Sequence, residues 1–184
     1  MRSGAPTGFH LALARPESVT AIISQNGNAY EEGLGPAWTP IKKYWADPSE
    51  ANRDALRPFF SLSAIESQYT TGVPEKLNAT LDPLGWTLDA SLMARPGIID
   101  IQLDIFYDYR NNVAAYPTWQ AYLREKQPRL LAIWGKNDQF FVPPGAEAFK
   151  RDVPHAKIVL LDTGHFALET HVVEIARQIE DFLG

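Results

Sequence analysis

The stretch that most constrains this chain is Leu130-Leu131-Ala132-Ile133-Trp134, five apolar residues without a polar break. A half-buried strand alternates apolar and polar residues, so an unbroken run of this length predicts a strand covered on both faces. A second such run, Lys157-Ile158-Val159-Leu160-Leu161, follows a helical segment over residues 144–151. An amphipathic helix over residues 170–183 follows, with Val172, Val173, Ile175, Ala176, Ile179 and Phe182 on its apolar face. Near the other end, Gly4-Ala5-Pro6 opens a helix carrying Phe9, Leu11, Leu13 and Ala14, and Arg15-Pro16 stops it. The β-branched run Val19-Thr20-Ala21-Ile22-Ile23 predicts another buried strand, ended by the turn signal Asn26-Gly27-Asn28. Strands alternating with helices predict an α/β fold with a parallel sheet and right-handed crossovers.

Residues 29–127 have a different character. They hold Trp38, Trp45, Trp86 and Trp119, and they are punctuated by Pro36, Pro40, Pro48, Pro58, Pro74, Pro83 and Pro96. Helical pieces are predicted between these breakers. One covers residues 40–45, and one opens at Asp47-Pro48-Ser49-Glu50 with Asp47 as N-cap and Pro48 in the first helical position. The longest is expected over residues 98–113, with Ile98, Ile101, Leu103, Ile105 and Phe106 as its apolar positions. No alternating strand is predicted, so the region reads as a mostly helical insertion between two core segments, 1–28 and 128–184.

Composition removes several classes of function. The chain has no cysteine, which excludes disulfides, thiolate nucleophiles and Cys-based zinc sites. Its net charge is -5 and its longest basic run is Lys42-Lys43, which argues against a nucleic-acid partner. No apolar stretch approaches membrane-spanning length. A cytoplasmic protein with no membrane partner, no metal and no cofactor is expected.

In parallel sheets, functional side chains sit in the loops past the C-terminal strand ends. Two such loops stand out: Gly135-Lys136-Asn137-Asp138-Gln139-Phe140 and Asp162-Thr163-Gly164-His165-Phe166. If their strands are neighbours, Asp138 and His165 meet. A carboxylate bonded to one ring nitrogen fixes the imidazole tautomer and leaves the other nitrogen as a base.

These two loops in this order, with the final helix directly after the histidine, resemble the end of the α/β-hydrolase superfamily, whose triad runs nucleophile, acid, histidine. The resemblance extends over the chain. Gly4-Ala5-Pro6 with Gly8-Phe9 resembles the helix after the nucleophile elbow, residues 19–25 the sixth strand, and the aromatic, proline-broken region the helical lid. The epoxide hydrolase and haloalkane dehalogenase branch is the most similar. It implies a C-terminal part of the fold: parallel strands 6 to 8 with flanking helices, plus the inserted lid. It also implies hydrolysis of a small apolar substrate through a covalent ester, with Asp138 as charge partner and His165 activating water.

The same pattern puts Arg2 at the elbow position, where the branch carries an aspartate, and arginine is no nucleophile. A one-residue shift puts Ser3 there and gives a serine ester hydrolase as an alternative. The other alternative is a catalytically inactive or binding protein. The resemblance therefore implies a chain lacking the first five strands. Its sixth strand would be exposed, calling for an oligomer or partner to cover it, because apolar area left in water costs roughly 25 cal/mol per Å2. Candidate substrate contacts are Tyr30, Trp38, Tyr107, Tyr109 and Phe140. Tyr69, Tyr107 and Tyr109 are the lid phenols able to donate to an epoxide oxygen. His165 and His171, six apart and without a nearby carboxylate, make a poor metal pair.

Overall fold

The computed structural model describes residues 4–184. Its sheet has three parallel strands in the order β1 (Ala21–Gln25), β2 (Arg129–Gly135), β3 (Lys157–Leu161). Ile23 stands opposite Leu131, and Ile133 opposite Val159. The central place of β2 follows from its sequence, for every residue from Leu130 to Gly135 is buried. Leu130, Ala132 and Trp134 point into one core layer with Phe9, Trp119 and Phe149. Leu131 and Ile133 point into the other, with Leu161, Ala167 and Ile175.

Helix α1 (Gly4–Ala14) supplies the first layer, burying Pro6, Phe9 and Ala12. Phe9 stacks on Trp119 with ring centroids 5.1 Å apart. Leu11 points outward instead. The strand that follows corrects an expectation. It begins at Ala21 and is not buried on both faces, since β1 is an edge with one hydrogen-bonded neighbour and Ile23 is 38% exposed. An apolar run signals burial without saying which chain segment provides it.

Residues between β1 and β2 form helices and turns, apart from an isolated bridge that pairs Leu34 with Phe141. The α-helices are α2 (Thr39–Ala46), α3 (Glu50–Asp54), α4 (Leu62–Thr70), α5 (Glu75–Asn78), α6 (Leu84–Met93), α7 (Ile98–Asp108) and α8 (Arg110–Lys126). Helices α2 and α7 share a second core of Trp38, Ile41, Tyr44, Leu56, Leu103, Phe106 and Tyr109. Arg53 links this region on its outside by bonding Asp104 at 2.6 Å and Tyr44 at 3.0 Å.

Three helix readings change. Asp47 does not cap α3: Ser49 stands before it, and Asp47 instead accepts from Asn52 at 2.8 Å. The helix expected over 98–113 breaks at Tyr109, so Val113 belongs to α8. Moreover, α8 turns Tyr116, Trp119 and Leu123 into the layer beside β2, so its inner face belongs to the sheet's core rather than to a lid.

After β2, the expected single helix divides at Ala148 into α9 (Pro143–Glu147) and α10 (Phe149–Asp152). The last helix, α11 (Ala167–Leu183), starts earlier than predicted and kinks at His171. Ile175 is buried and Ile179 and Phe182 pack beside it, whereas Val172 and Val173 are 56% and 61% exposed. No helix among the described residues is long and apolar enough to cross a membrane.

Glycines test this packing. A Cβ on Gly135 would overlap the carbonyl oxygen of Gly164, while one on Gly8 in α1 meets nothing within 4 Å. Gly135→Ala is expected to cost about 3 kcal/mol in chemical denaturation. Gly8→Ala should stabilise by about 0.8 kcal/mol, the helix-propensity gain. Equal effects of the two substitutions would refute the close approach at Gly135.

Candidate active site

The C-terminal ends of all three strands meet at one place. Past β1, Asn26 adopts a left-handed conformation with φ 47°, which asparagine tolerates better than most residues. Its backbone N–H donates to Ile133 and its Oδ1 accepts the Gly135 N–H at 2.9 Å. Past β2, the chain turns through a bond from the Asp138 N–H to the Gly135 carbonyl. Past β3, the Leu161 and Thr163 carbonyls accept from Lys136 and Asn137, joining the two loops by backbone bonds.

This scaffold buries the Asp138 side chain fully and gives it three donors. Oδ1 accepts the Phe140 N–H at 2.7 Å. Oδ2 accepts Asn26 Nδ2 at 2.6 Å and faces His165 Nδ1 at 2.8 Å. Burying a carboxylate is tolerable only with such partners. Because a carboxylate only accepts, the proton belongs on Nδ1, which leaves Nε2 as the free basic nitrogen. The ring is 16% exposed and sits among Phe140, Phe141 and Phe166, at centroid distances of 5.2, 5.9 and 4.8 Å.

His165 opens onto a cavity of about 460 Å3 between the strand ends and the helical region. Gly4, Ala5 and Pro6 line it, so the N-terminus of α1 faces it too. Of the expected substrate contacts, Trp38, Tyr109 and Phe140 line this cavity. Burial holds the Tyr109 hydroxyl well above the ordinary phenol range, and it is hydrogen-bonded to Tyr116, itself pushed up to about 12 chiefly by burial.

Tyr30 and Tyr107 do not line it, which corrects two expectations. Tyr30 is wholly buried, and its hydroxyl donates to the buried Asp152 at 2.7 Å, where Arg124 also bonds at 2.6 Å. Tyr107 lies tilted against Tyr44, under the guanidinium of Arg110. Both were placed by their position in the chain, which says nothing of the direction of a side chain. Tyr69 lies behind the wall, and its hydroxyl donates to Asp89, which does line the cavity. Arg2 and Ser3 lie outside the described residues.

The sequence reading missed Asn26, Asp89, Gln68 and Gln102. Asn26 was visible only as part of a turn signal. Its position past β1, matching Asp138 past β2 and His165 past β3, is the signal that was available. His171 bonds Thr170 at 2.8 Å, and no group of residues among those described is able to hold a metal ion.

Comparison with known proteins bears on this geometry. The family model of the alpha/beta hydrolase fold matches residues 3–172. An uncharacterized hydrolase of Saccharomyces cerevisiae, YNR064C, is 47% identical over 182 residues, covering 96% of this chain and 61% of its own length. The chain thus spans less than two thirds of that relative. Among solved structures, a 2-hydroxy-6-oxo-6-phenylhexa-2,4-dienoate hydrolase from Rhodococcus sp. strain RHA1 superposes with a TM-score of 0.72 at 14% identity, over 98% of this chain and 60% of the other. The enol-lactonase from Burkholderia xenovorans LB400 does so at 0.64 and 16%, over 100% and 63%. At such identities the structural likeness speaks for the fold alone, whereas the family match covers most of the sequence. The chain belongs to the alpha/beta hydrolase fold family.

Proposed function

We propose that Asp138 and His165 are the acid and base of a hydrolytic site, and that the nucleophile comes from a segment preceding Gly4. The observation that carries this reading is the 2.8 Å bond between a fully buried carboxylate and an imidazole at the mouth of the cavity. In the reaction, the nucleophile bonds to a substrate carbon to form a covalent ester as that carbon's bond to the departing or ring oxygen breaks, and this oxygen takes up a proton. His165 Nε2 then removes a proton from water as it attacks the ester, Asp138 stabilises the imidazolium, and the adduct collapses with the ester bond breaking and the imidazolium returning its proton to the oxygen released. The position of Gly4, Ala5 and Pro6 in the cavity wall supports a nucleophile just before α1. The aromatic wall suits a small substrate with an apolar body, in the manner of epoxide hydrolases. The open edge of β1, with the exposed Ile23, supports the reading that this chain is the C-terminal part of the fold and that a further parallel strand or partner covers it.

The test joins the yeast relative's remaining segment ahead of Gly4 and assays epoxide and ester hydrolysis. The joined protein should turn over substrate. His165→Ala should lower kcat by about 10^4-fold, and Asp138→Ala by at least about 10^2-fold. Turnover that survives His165→Ala would sink the assignment. The unjoined chain should show none.

Asn26 acts in this reading as a positioning residue. Asn26→Gly keeps the left-handed backbone accessible but removes the amide. It is expected to lower kcat about tenfold at unchanged KM, since Asp138 loses one of two donors on Oδ2. A rise in KM with kcat preserved would place Asn26 at the substrate instead.

A further inference from the structure

The cavity above His165 has a charge as well as a shape. Its wall carries several aromatic rings, Trp38, Phe60, Phe106 and Phe140 among them. Between them stand Gln68 on α4, Asp89 on α6 and Gln102 on α7. Among the described lining residues Asp89 is the one carboxylate, and no lysine or arginine joins it. The arginines of the helical region have partners elsewhere: Arg95 donates to the Leu92 carbonyl at 3.2 Å and Arg124 pairs with Asp152. Arg53 and Arg57 pair with Asp54, Asp100 and Asp104, and Arg110 lies over Tyr107.

Asp89 is also held in place. Its Oδ2 accepts the Tyr69 hydroxyl at 2.7 Å. Tyr69 is 5% exposed and packs against Phe166 at 4.5 Å and Trp86 at 5.7 Å. Phe166 in turn contacts His165 at 4.8 Å. The carboxylate is therefore fixed two rings away from the base, on the cavity's helical side. Aromatic faces attract cations through their quadrupole, and a carboxylate among them strengthens that preference while repelling anions.

We infer that this cavity takes a substrate whose apolar body carries, at the end remote from the reacting bond, a protonated amine that meets Asp89. Substrates bearing a carboxylate there are rejected. The inference rests on the reading of this cavity as the substrate site. It adds a class of substrate that the aromatic wall alone would not specify.

The experiment measures binding, so that it stands apart from the proposed chemistry. The chain is titrated near neutral pH and low salt with benzylammonium, benzyl alcohol and benzoate, and calorimetry gives each affinity. Benzylammonium should bind at least about tenfold more tightly than benzoate. Asp89→Asn retains an acceptor for Tyr69 and should lower that ratio at least about threefold, the rings keeping a residual preference for the cation, while leaving benzyl alcohol within about twofold. Benzoate binding as well as benzylammonium, or a ratio indifferent to Asp89→Asn, would overturn the inference while leaving the Asp138–His165 reading intact. Failure of benzyl alcohol to bind at all would overturn both this inference and the cavity as a substrate site.

Discussion

Burial of β2 on both faces is the constraint from which the rest of this structure follows. Six consecutive residues, Leu130 to Gly135, have no access to water. Such a strand needs a neighbour at each edge for its backbone and a layer of helices on each face for its side chains. β1 and β3 supply the edges. Helices α1 and α8 cover one face through Phe9, Trp119 and Leu123, and α11 covers the other through Ala167 and Ile175. The helical region is then a long detour between β1 and β2, and it returns to the core through α8 before β2 begins.

Parallel pairing has a second effect, because all three strands end on the same side. The loops past them must share a small space, and small residues make this feasible. Gly135 lies so close to Gly164 that it admits no side chain without displacing backbone, and Gly164 is closed in on its own side by the Thr71 carbonyl. The reward is positional. Asn26, Asp138 and His165 come from loops more than a hundred residues apart at the extremes, yet they are joined through one oxygen, Asp138 Oδ2. A carboxylate with donors from two loops and its own turn has little freedom to rotate, so the imidazole it holds is fixed as well.

What the sequence disclosed follows from the same physics. β2 and β3 were legible because an unbroken apolar run has few other uses. Asp138 and His165 were legible because strand ends in such sheets are where chemistry is assembled. The packing partners were less so. Nothing in Val172 or Val173 says that they face outward while Ile175, two residues on, is buried. The break at Tyr109 falls inside a continuous helical pattern, and α8 runs through Pro117, a helix breaker that tertiary packing overrides. Tyr30 and Tyr107 show the limit most plainly. Each is an aromatic residue of the kind that lines pockets, but one satisfies a buried Asp152 and the other supports an arginine. Asp89 was hidden for the opposite reason, since a helical aspartate gives no hint that it faces inward.

The helical region and the loops past β2 and β3 are also joined on this side of the molecule. Asn137, next to Asp138, donates to the Gly72 carbonyl at 2.8 Å, and Gly72 requires its positive φ of 81° at that spot. Gly164, next to His165, lies against the Thr71 carbonyl so tightly that a Cβ would collide with it. On the far side of the cavity, Phe140 accepts from the Trp38 indole at 2.9 Å and from the Gly35 N–H at 2.8 Å. The loops bearing Asp138 and His165 are thus clamped at both ends by residues from the insertion. Helix α6 has none of its residues buried, yet it packs against α4, where Tyr69 and Ile65 meet it, and against α7. Asp89 is thereby carried on a helix seated against α4, whose Tyr69 bonds it at 2.7 Å, so the insertion holds this carboxylate in the cavity wall as it holds the loops beside it.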